Sequence, residues 1–287
     1  MFKEANQMRF HQFLGLILVC VLAGCSGETQ LTGISFSESG DRIQLSGSST
    51  VGPLVDEIGK RYEKENPGVR VEVQTGGSSR GIADAANGLA DIGMSSRALK
   101  QSEKGGRQSW PIAMDGVCFI VHSSNLIGEL SRSQLLSIIR GETKNWQDVG
   151  GVNQPIVFIN RAAGRSELEL VTKFFGIQAN EIADDLIAGE NQQGIKMVGG
   201  NANSISYMSV GASEDAVVRG TEIRMLPLAG VESSVANVES GKFPLSRPLI
   251  LVTSENPSKP VQDFISYAQS EAVEDLVRDL SYVPIRD

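Results

Sequence analysis

The segment Leu45-Ser46-Gly47-Ser48-Ser49-Thr50-Val51-Gly52-Pro53 constrains this chain more than any other. An apolar run at 43–45 breaks into a loop of glycine and hydroxyl residues. A helix is then expected from Pro53, with Leu54, Ile58 and Tyr62 on one face. Proline at the first helical position, after a hydroxyl residue, is a helix-start signal. The first N–H groups of a helix have no partner inside it, and the macrodipole places partial positive charge there. Such a start holds an anion without a basic side chain.

The design recurs twice. Val69, Val71 and Val73 alternate with polar residues as a strand, and Gly76-Gly77-Ser78-Ser79-Arg80-Gly81 leads into an alanine-rich helix. A third apolar run at 156–159 is followed by Asn160-Arg161-Ala162-Ala163-Gly164-Arg165-Ser166 and a helix carrying Leu168, Leu170 and Val171. Three helix starts, two of them bearing Arg80, Arg161 and Arg165, can converge on one anion. No Gly-Lys-Ser/Thr is present and no Gly-x-Gly-x-x-Gly follows a strand, which argues against a nucleotide.

The remaining pattern alternates between strand and helix. Strands are expected at 42–46, 69–74 and 90–94, with helices at 53–65 and 81–87 between them, which implies parallel sheet with helices on its faces. Further strands are expected at 117–121, 156–159, 205–208 and 249–252, and helices at 133–140, 166–175, 260–268 and 271–280. Gly199-Gly200 and the residues at 201–204 read as a turn or a helix start.

Lys3, Arg9 and His11 precede an apolar run at 13–23. It is too short to span a bilayer as a helix and reads as a secretory h-region. The run ends in Leu22-Ala23-Gly24-Cys25, which resembles the bacterial lipobox. That resemblance implies a lipoprotein signal peptide at 1–24 and lipidation of the Cys25 thiol; an ordinary signal peptide with a chance cysteine is the other reading. Residues 25–40 suit a flexible tether. The expectation is an exported domain, periplasmic or at the cell surface, anchored to a bacterial membrane by lipid. Of the 3 cysteines, Cys118 alone would then stay free, in an apolar run that makes it a small core residue.

Net charge is −8, and removal of Lys3, Glu4 and Arg9 leaves about −9, which argues against nucleic acid as a partner. A small buried anion responds to local donors instead, because distant surface charge is screened over about 10 Å. With 2 histidines, His11 in the leader and His122 after a strand, no metal cluster is expected. A Ser-His-Asp set could be built only around His122. A binding protein without cofactor or metal is expected, and not an enzyme.

Other stretches occur in a fixed order: Glu65-Asn66-Pro67-Gly68-Val69, Gly77-Ser78, Gly88-Leu89-Ala90-Asp91-Ile92-Gly93, Asp115-Gly116-Val117, Gly141-Glu142-Thr143-Lys144-Asn145-Trp146-Gln147-Asp148-Val149-Gly150-Gly151, Asn160-Arg161 and Phe243-Pro244-Leu245-Ser246-Arg247-Pro248-Leu249. In these stretches, and in the first loop, the chain resembles the phosphate-binding (PstS-like) proteins of bacterial ABC importers, in the periplasmic-binding-protein superfamily. The resemblance covers nearly all the chain after Asp41. It implies the type II fold of that superfamily, two α/β lobes joined by two crossing strands near 115–121 and 243–252. Lobe one would comprise 41–115 and 245–287, and lobe two 116–244. It further implies a monomer that captures inorganic phosphate between the lobes and delivers it to ABC permease subunits. The same fold also suits another oxyanion, a small phosphorylated solute, or a phosphate sensor or scavenger outside transport.

Carried over by position, the resemblance implies a ligand held by Ser49, Thr50 and the N–H of Val51 in the first loop, and by Ser78 in the second. Ser96 closes the pocket, Arg161 is the charged clamp, and Gly164, Arg165 and Ser166 sit at the third helix start. Ser79, Arg80 and Arg97 are further candidates, and the two arginines fit surface ion pairs equally well. The chain also departs from the family. Many members read Gly-Ser-Gly-Thr in the third loop, where Gly164 is here followed by Arg165, Ser166 and Glu167. Members carry Asp at the positions of Ser96 and Ala163, and both carboxylates are absent. Such a site is expected to favour the more charged anion and discriminate less. Glu167 could supply the missing acceptor, but reads better as a first-turn glutamate stabilising its own helix.

Overall fold

The computed structural model describes residues 41–285. The expected signal peptide at 1–24, the lipidation site Cys25, the tether at 25–40 and the last two residues of lobe one lie outside the described residues. The opening elements are β1 (Arg42–Gly47), α1 (Gly52–Glu65), β2 (Arg70–Thr75), α2 (Ser78–Ala86) and β3 (Ile92–Ser95). β1 lies between β2 and β3 and is parallel to both. Gly47 pairs with Thr75 and with Met94, so the three strands end at one level. The loops into α1 and α2 therefore leave the sheet side by side at the carboxyl ends of their strands, where open α/β sheets bind ligands.

Next come β4 (Arg107–His122), α3 (Arg132–Ile139), β5 (Val157–Arg161), α4 (Ser166–Phe175), β6 (Leu186–Ala188), α5 (Asn191–Gly199), β7 (Ser204–Ser209), α6 (Val210–Val218), β8 (Ile223–Leu226) and α7 (Val235–Glu239). The chain closes with β9 (Ser246–Ser254), α8 (Lys259–Ala268), α9 (Glu274–Asp279) and β10 (Val283–Pro284). β4 joins two sheets. Residues 107–116 pair antiparallel with β9, and 117–122 pair antiparallel with β7 and β8. Two separate cores form around it. One holds Ile43, Leu45, Leu54, Ile58, Leu251 and Phe264; the other holds Phe119, Ile138, Trp146, Phe158, Val171 and Tyr207.

The structure departs from the sequence expectations at several ends. α2 starts at Ser78 rather than 81, because Gly77 at φ 101° turns the chain directly into the helix. The expected last helix is a single 3-10 turn, Glu271–Val273, followed by the short α9. The first half of β4 and the elements β6, α5, α6, β8 and α7 were not anticipated, since their apolar residues are too few or too evenly spread to set a period. Cys118 lies buried in β4, and desolvation pushes its thiol up to about 12.

Glycine permits a close approach that the site depends on. A Cβ on Gly81 in α2 would lie 2.3 Å from the Ser46 carbonyl oxygen and 2.6 Å from Gly47 Cα. This contact draws the start of α2 onto the end of β1. Gly81→Ala is expected to destabilise the protein by about 1–3 kcal/mol through overpacking. Gly105→Ala, whose Cβ would meet nothing within 4 Å, is expected to be nearly neutral. Urea denaturation of the two variants checks this.

Candidate anion-binding site

In the loop after β1, Ser48 Oγ accepts from the N–H groups of Thr50 (3.1 Å) and Val51 (3.3 Å), a local turn that launches α1. The Val51 N–H is thus bonded within its own loop. The Tyr282 hydroxyl donates to the Thr50 carbonyl at 2.8 Å and pins the turn from the other side. The Thr50 hydroxyl is free to face inward. It donates to Glu167 Oε1 (3.0 Å) and accepts from Asn191 Nδ2 (2.9 Å) and Arg247 Nη2 (3.1 Å), which is the full capacity of a hydroxyl.

A chain of serine hydroxyls links the three helix starts. Ser48 Oγ donates to Ser96 Oγ at 2.9 Å, and Ser96 Oγ lies 2.6 Å from Ser166 Oγ and 3.4 Å from Ser78 Oγ. The Ser96 N–H donates to Ser78 Oγ at 3.1 Å. Ser78 and Ser166 are the first residues of α2 and α4, and all four serines are buried.

The charged centre comes from the crossing strands. Asp115 of β4 stands opposite Arg247 of β9 in register, close enough for their side chains to meet. Arg247 Nε and Nη2 donate to Asp115 Oδ2 at 3.1 and 2.9 Å. Nη2 also reaches Glu167 Oε1 (2.9 Å), and Nη1 reaches Ser166 Oγ (2.8 Å). Asp115 Oδ1 accepts from the Gly211 N–H at the start of α6, at 3.1 Å. Arg161, at the end of β5, is fully buried with Nη2 3.7 Å from Glu167 Oε2. Its Nη1 donates weakly to the Ala188 carbonyl (3.4 Å), while Nε and Nη2 have no hydrogen-bond partner.

Burial and charge oppose each other here. Burial works against the Arg247 cation, yet the Glu167 and Asp115 carboxylates outweigh it and raise its pKa. Burial likewise disfavours the Glu167 anion, but Arg247 and Arg161 hold its carboxyl down at about 2. Arg161 goes the other way. Burial lowers its pKa, and Glu167 only partly compensates.

Of the residues singled out from sequence, Thr50, Ser78, Ser96, Arg161 and Ser166 meet in this one buried cluster. Gly164, at φ +80°, and Arg165 stand at its edge: the Gly164 carbonyl accepts from Ser79 N–H (3.2 Å), and Arg165 pairs with Glu190 (3.0 Å). Ser49 is half-buried and lines an outer pocket with Pro53, Asp56 and Asn191. Ser79 and Arg97 belong to a neighbouring polar group, where Arg97 pairs with Glu103 (2.7 Å) and Glu169 (3.0 Å). Arg80 is exposed and pairs with Asp84 at 3.3 Å, outside the cluster. His122 is also outside, half-buried, with Nδ1 2.8 Å from Ser124 Oγ.

Sequence reasoning misses Ser48, Asp115, Asn191 and Arg247 as site residues, and favours for Glu167 a role in its own helix over that of the missing acceptor. The signal for Arg247 was a lone charge at the mouth of the apolar run 248–252. Among the described residues no group of three or more His, Cys, Asp or Glu is placed to hold a metal ion.

The sequence model of the PBP superfamily domain matches residues 35–272. The chain belongs to this superfamily. It is 29% identical to the phosphate-binding protein PstS of Borreliella burgdorferi over 253 residues, 85% of this chain and 90% of that protein. It is 23% identical to PstS of Bacillus subtilis over 94% of this chain and 91% of that protein. Among solved structures, it is similar to a substrate-binding protein from Clostridium perfringens, assigned to phosphate ABC transport and carrying bound phosphate. That match has TM-score 0.79 and 30% identity over 86% of this chain and all of the other. An ABC-type phosphate transport receptor from Vibrio cholerae matches with TM-score 0.70 and 26% identity over 85% of this chain. The fold is accordingly the two-lobed type II fold of this superfamily. The relatives are binding proteins by name, and no helix among the described residues is long and apolar enough to cross a membrane.

Proposed function

We propose that this PBP-superfamily chain is an extracytoplasmic binding protein that captures inorganic phosphate between two lobes and passes it to an ABC import permease. The observation that carries the reading is the convergence of Thr50, Ser78, Ser96, Ser166 and Arg161 in one buried cluster at three helix starts. Buried oxyanion oxygens each need donors, and hydroxyls, helix N-termini and a guanidinium supply them. The two unpartnered N–H groups of Arg161 leave an anion-binding edge open. Nothing in the cluster activates a nucleophile, so we read a binder and not an enzyme.

With lobe one at 41–115 and 245–287 and lobe two at 116–244, Thr50, Ser78 and Ser96 come from one side and Arg161 and Ser166 from the other. Closure then assembles the donors, and the ligand stabilises the closed state by contacts that the open state lacks. A permease reads that closed state. Lipidation at Cys25 would hold the monomer at the membrane, since two or more acyl chains anchor stably.

Calorimetric titration of the purified, ligand-stripped protein with phosphate tests the reading. Saturable binding at one site, with a Kd of about 1 μM or below, is expected. Absence of saturable phosphate heat overturns it.

A further inference from the structure

Glu167 sits where the proposed ligand belongs. Its carboxylate accepts hydrogen bonds from the Thr50 hydroxyl at 3.0 Å and Arg247 Nη2 at 2.9 Å, and lies 3.7 Å from Arg161 Nη2. These donors come from the β1–α1 loop, β9 and β5, the same convergence that a captured oxyanion would use. Glu167 is only 2% exposed, as enclosed as a bound ligand would be. It stands in the first turn of α4, so the carboxylate also meets the positive end of that helix.

The charges leave no room for a second anion. Two cations, Arg161 and Arg247, face two carboxylates, Asp115 and Glu167, and the cluster is neutral as it stands. A dianion placed beside Glu167 would bring like charges together where water screens them little. Contacts within the chain also span the cluster. Two residues further along α4, Glu169 accepts from the Ser79 hydroxyl (2.8 Å) and forms ion pairs with Arg97 Nε (3.0 Å) and Lys100 Nζ (2.6 Å), all from the opposite side of the cluster.

We propose that the Glu167 side chain is a tethered anion that occupies the donors of this site in the ligand-free protein, and that a free oxyanion binds by displacing it. The proposal rests on the oxyanion reading of the site. It makes Glu167 the residue that sets affinity. The competent state is the one in which Glu167 has turned away, and the apparent affinity falls by the fraction of time spent in that state. A tethered competitor is effective because its local concentration is set by the chain and not by the solution. Nε and Nη2 of Arg161, which lack hydrogen-bond partners, are donors that an anion gains once Glu167 has turned away.

The test is calorimetric titration with inorganic phosphate of the wild-type protein, Glu167→Gln and Glu167→Thr. Both variants should bind phosphate about tenfold tighter or more than wild type, and phosphate should raise their Tm further. Wild-type binding with equal or weaker binding by both variants overturns the tethered anion, and would mean that Glu167 accepts a proton from the ligand instead. Phosphate binding by none of the three, each folded by circular dichroism, overturns the oxyanion reading itself. Two variants keep the comparison usable if one fails to fold.

Discussion

Arg247→Met should cost the ligand-free protein about 3–5 kcal/mol of stability, the range for removing one partner of a buried ionic network. The loss arises less from the vanished attraction than from what remains. Asp115 would keep only the Gly211 N–H among its present charge-stabilising partners, and Glu167 only Thr50, its own backbone N–H and the more distant Arg161. Both carboxylates would lie buried without their shared cation. The pH dependence should change sign as well. In the wild type, Glu167 has a folded-state pKa of about 2, below its unfolded value. Its contribution is therefore complete above the ordinary glutamate pKa and is lost as pH falls toward 2. Without Arg247, burial raises the Glu167 carboxyl above its unfolded value, so the variant should gain stability relative to wild type as pH falls. Urea denaturation at neutral and acidic pH measures both effects. Arg61→Met, which breaks the surface pair with Asp275 and a bond to the Ala272 carbonyl, should change stability far less. A small loss in Arg247→Met with unchanged pH dependence would show that the crossing strands are not held by this network.

That network was the least legible part of the chain, and the reason is topological. The three helix starts are local: each strand, loop and helix lies within some twenty residues, and glycine, proline and hydroxyl positions announce the turns. They placed Thr50, Ser78, Arg161 and Ser166 at three loop ends before any register was known. Arg247 and Asp115 lie 132 residues apart, and only the β4–β9 register makes them neighbours. Glu167 was visible but carried the wrong weight. A glutamate in the first turn of a helix usually faces solvent, and nothing local reveals that two arginines from other strands close over it. Asn191 opens α5, a helix with too few apolar positions to show a clear period. Arg80 failed in the opposite sense. Its place in a glycine-rich loop suggested an anion, yet Asp84 one turn later on α2 takes its charge at the surface.

Arg161→Met should have the complementary phenotype: stability within about 1 kcal/mol of wild type, and phosphate binding weakened about a hundredfold or more. Arg161 is as buried as Arg247, but its burial is not compensated. Desolvation lowers its pKa, Glu167 stands at 3.7 Å, and Nε and Nη2 have no hydrogen-bond partner. Replacing a poorly paired buried cation with an apolar side chain of similar length removes a desolvation cost along with the charge, so folding loses little. Binding loses much, because a guanidinium edge can make two parallel charge-assisted bonds to an oxyanion, each worth about 1.5–3 kcal/mol. Arg161→Lys should fall between, keeping a point charge without the planar fork. Thermal denaturation and calorimetric titration on the same preparations separate the two arginines. If Arg161→Met instead unfolds the protein while Arg247→Met still binds phosphate, the roles are reversed, and the clamp would be the arginine carried by the crossing strand.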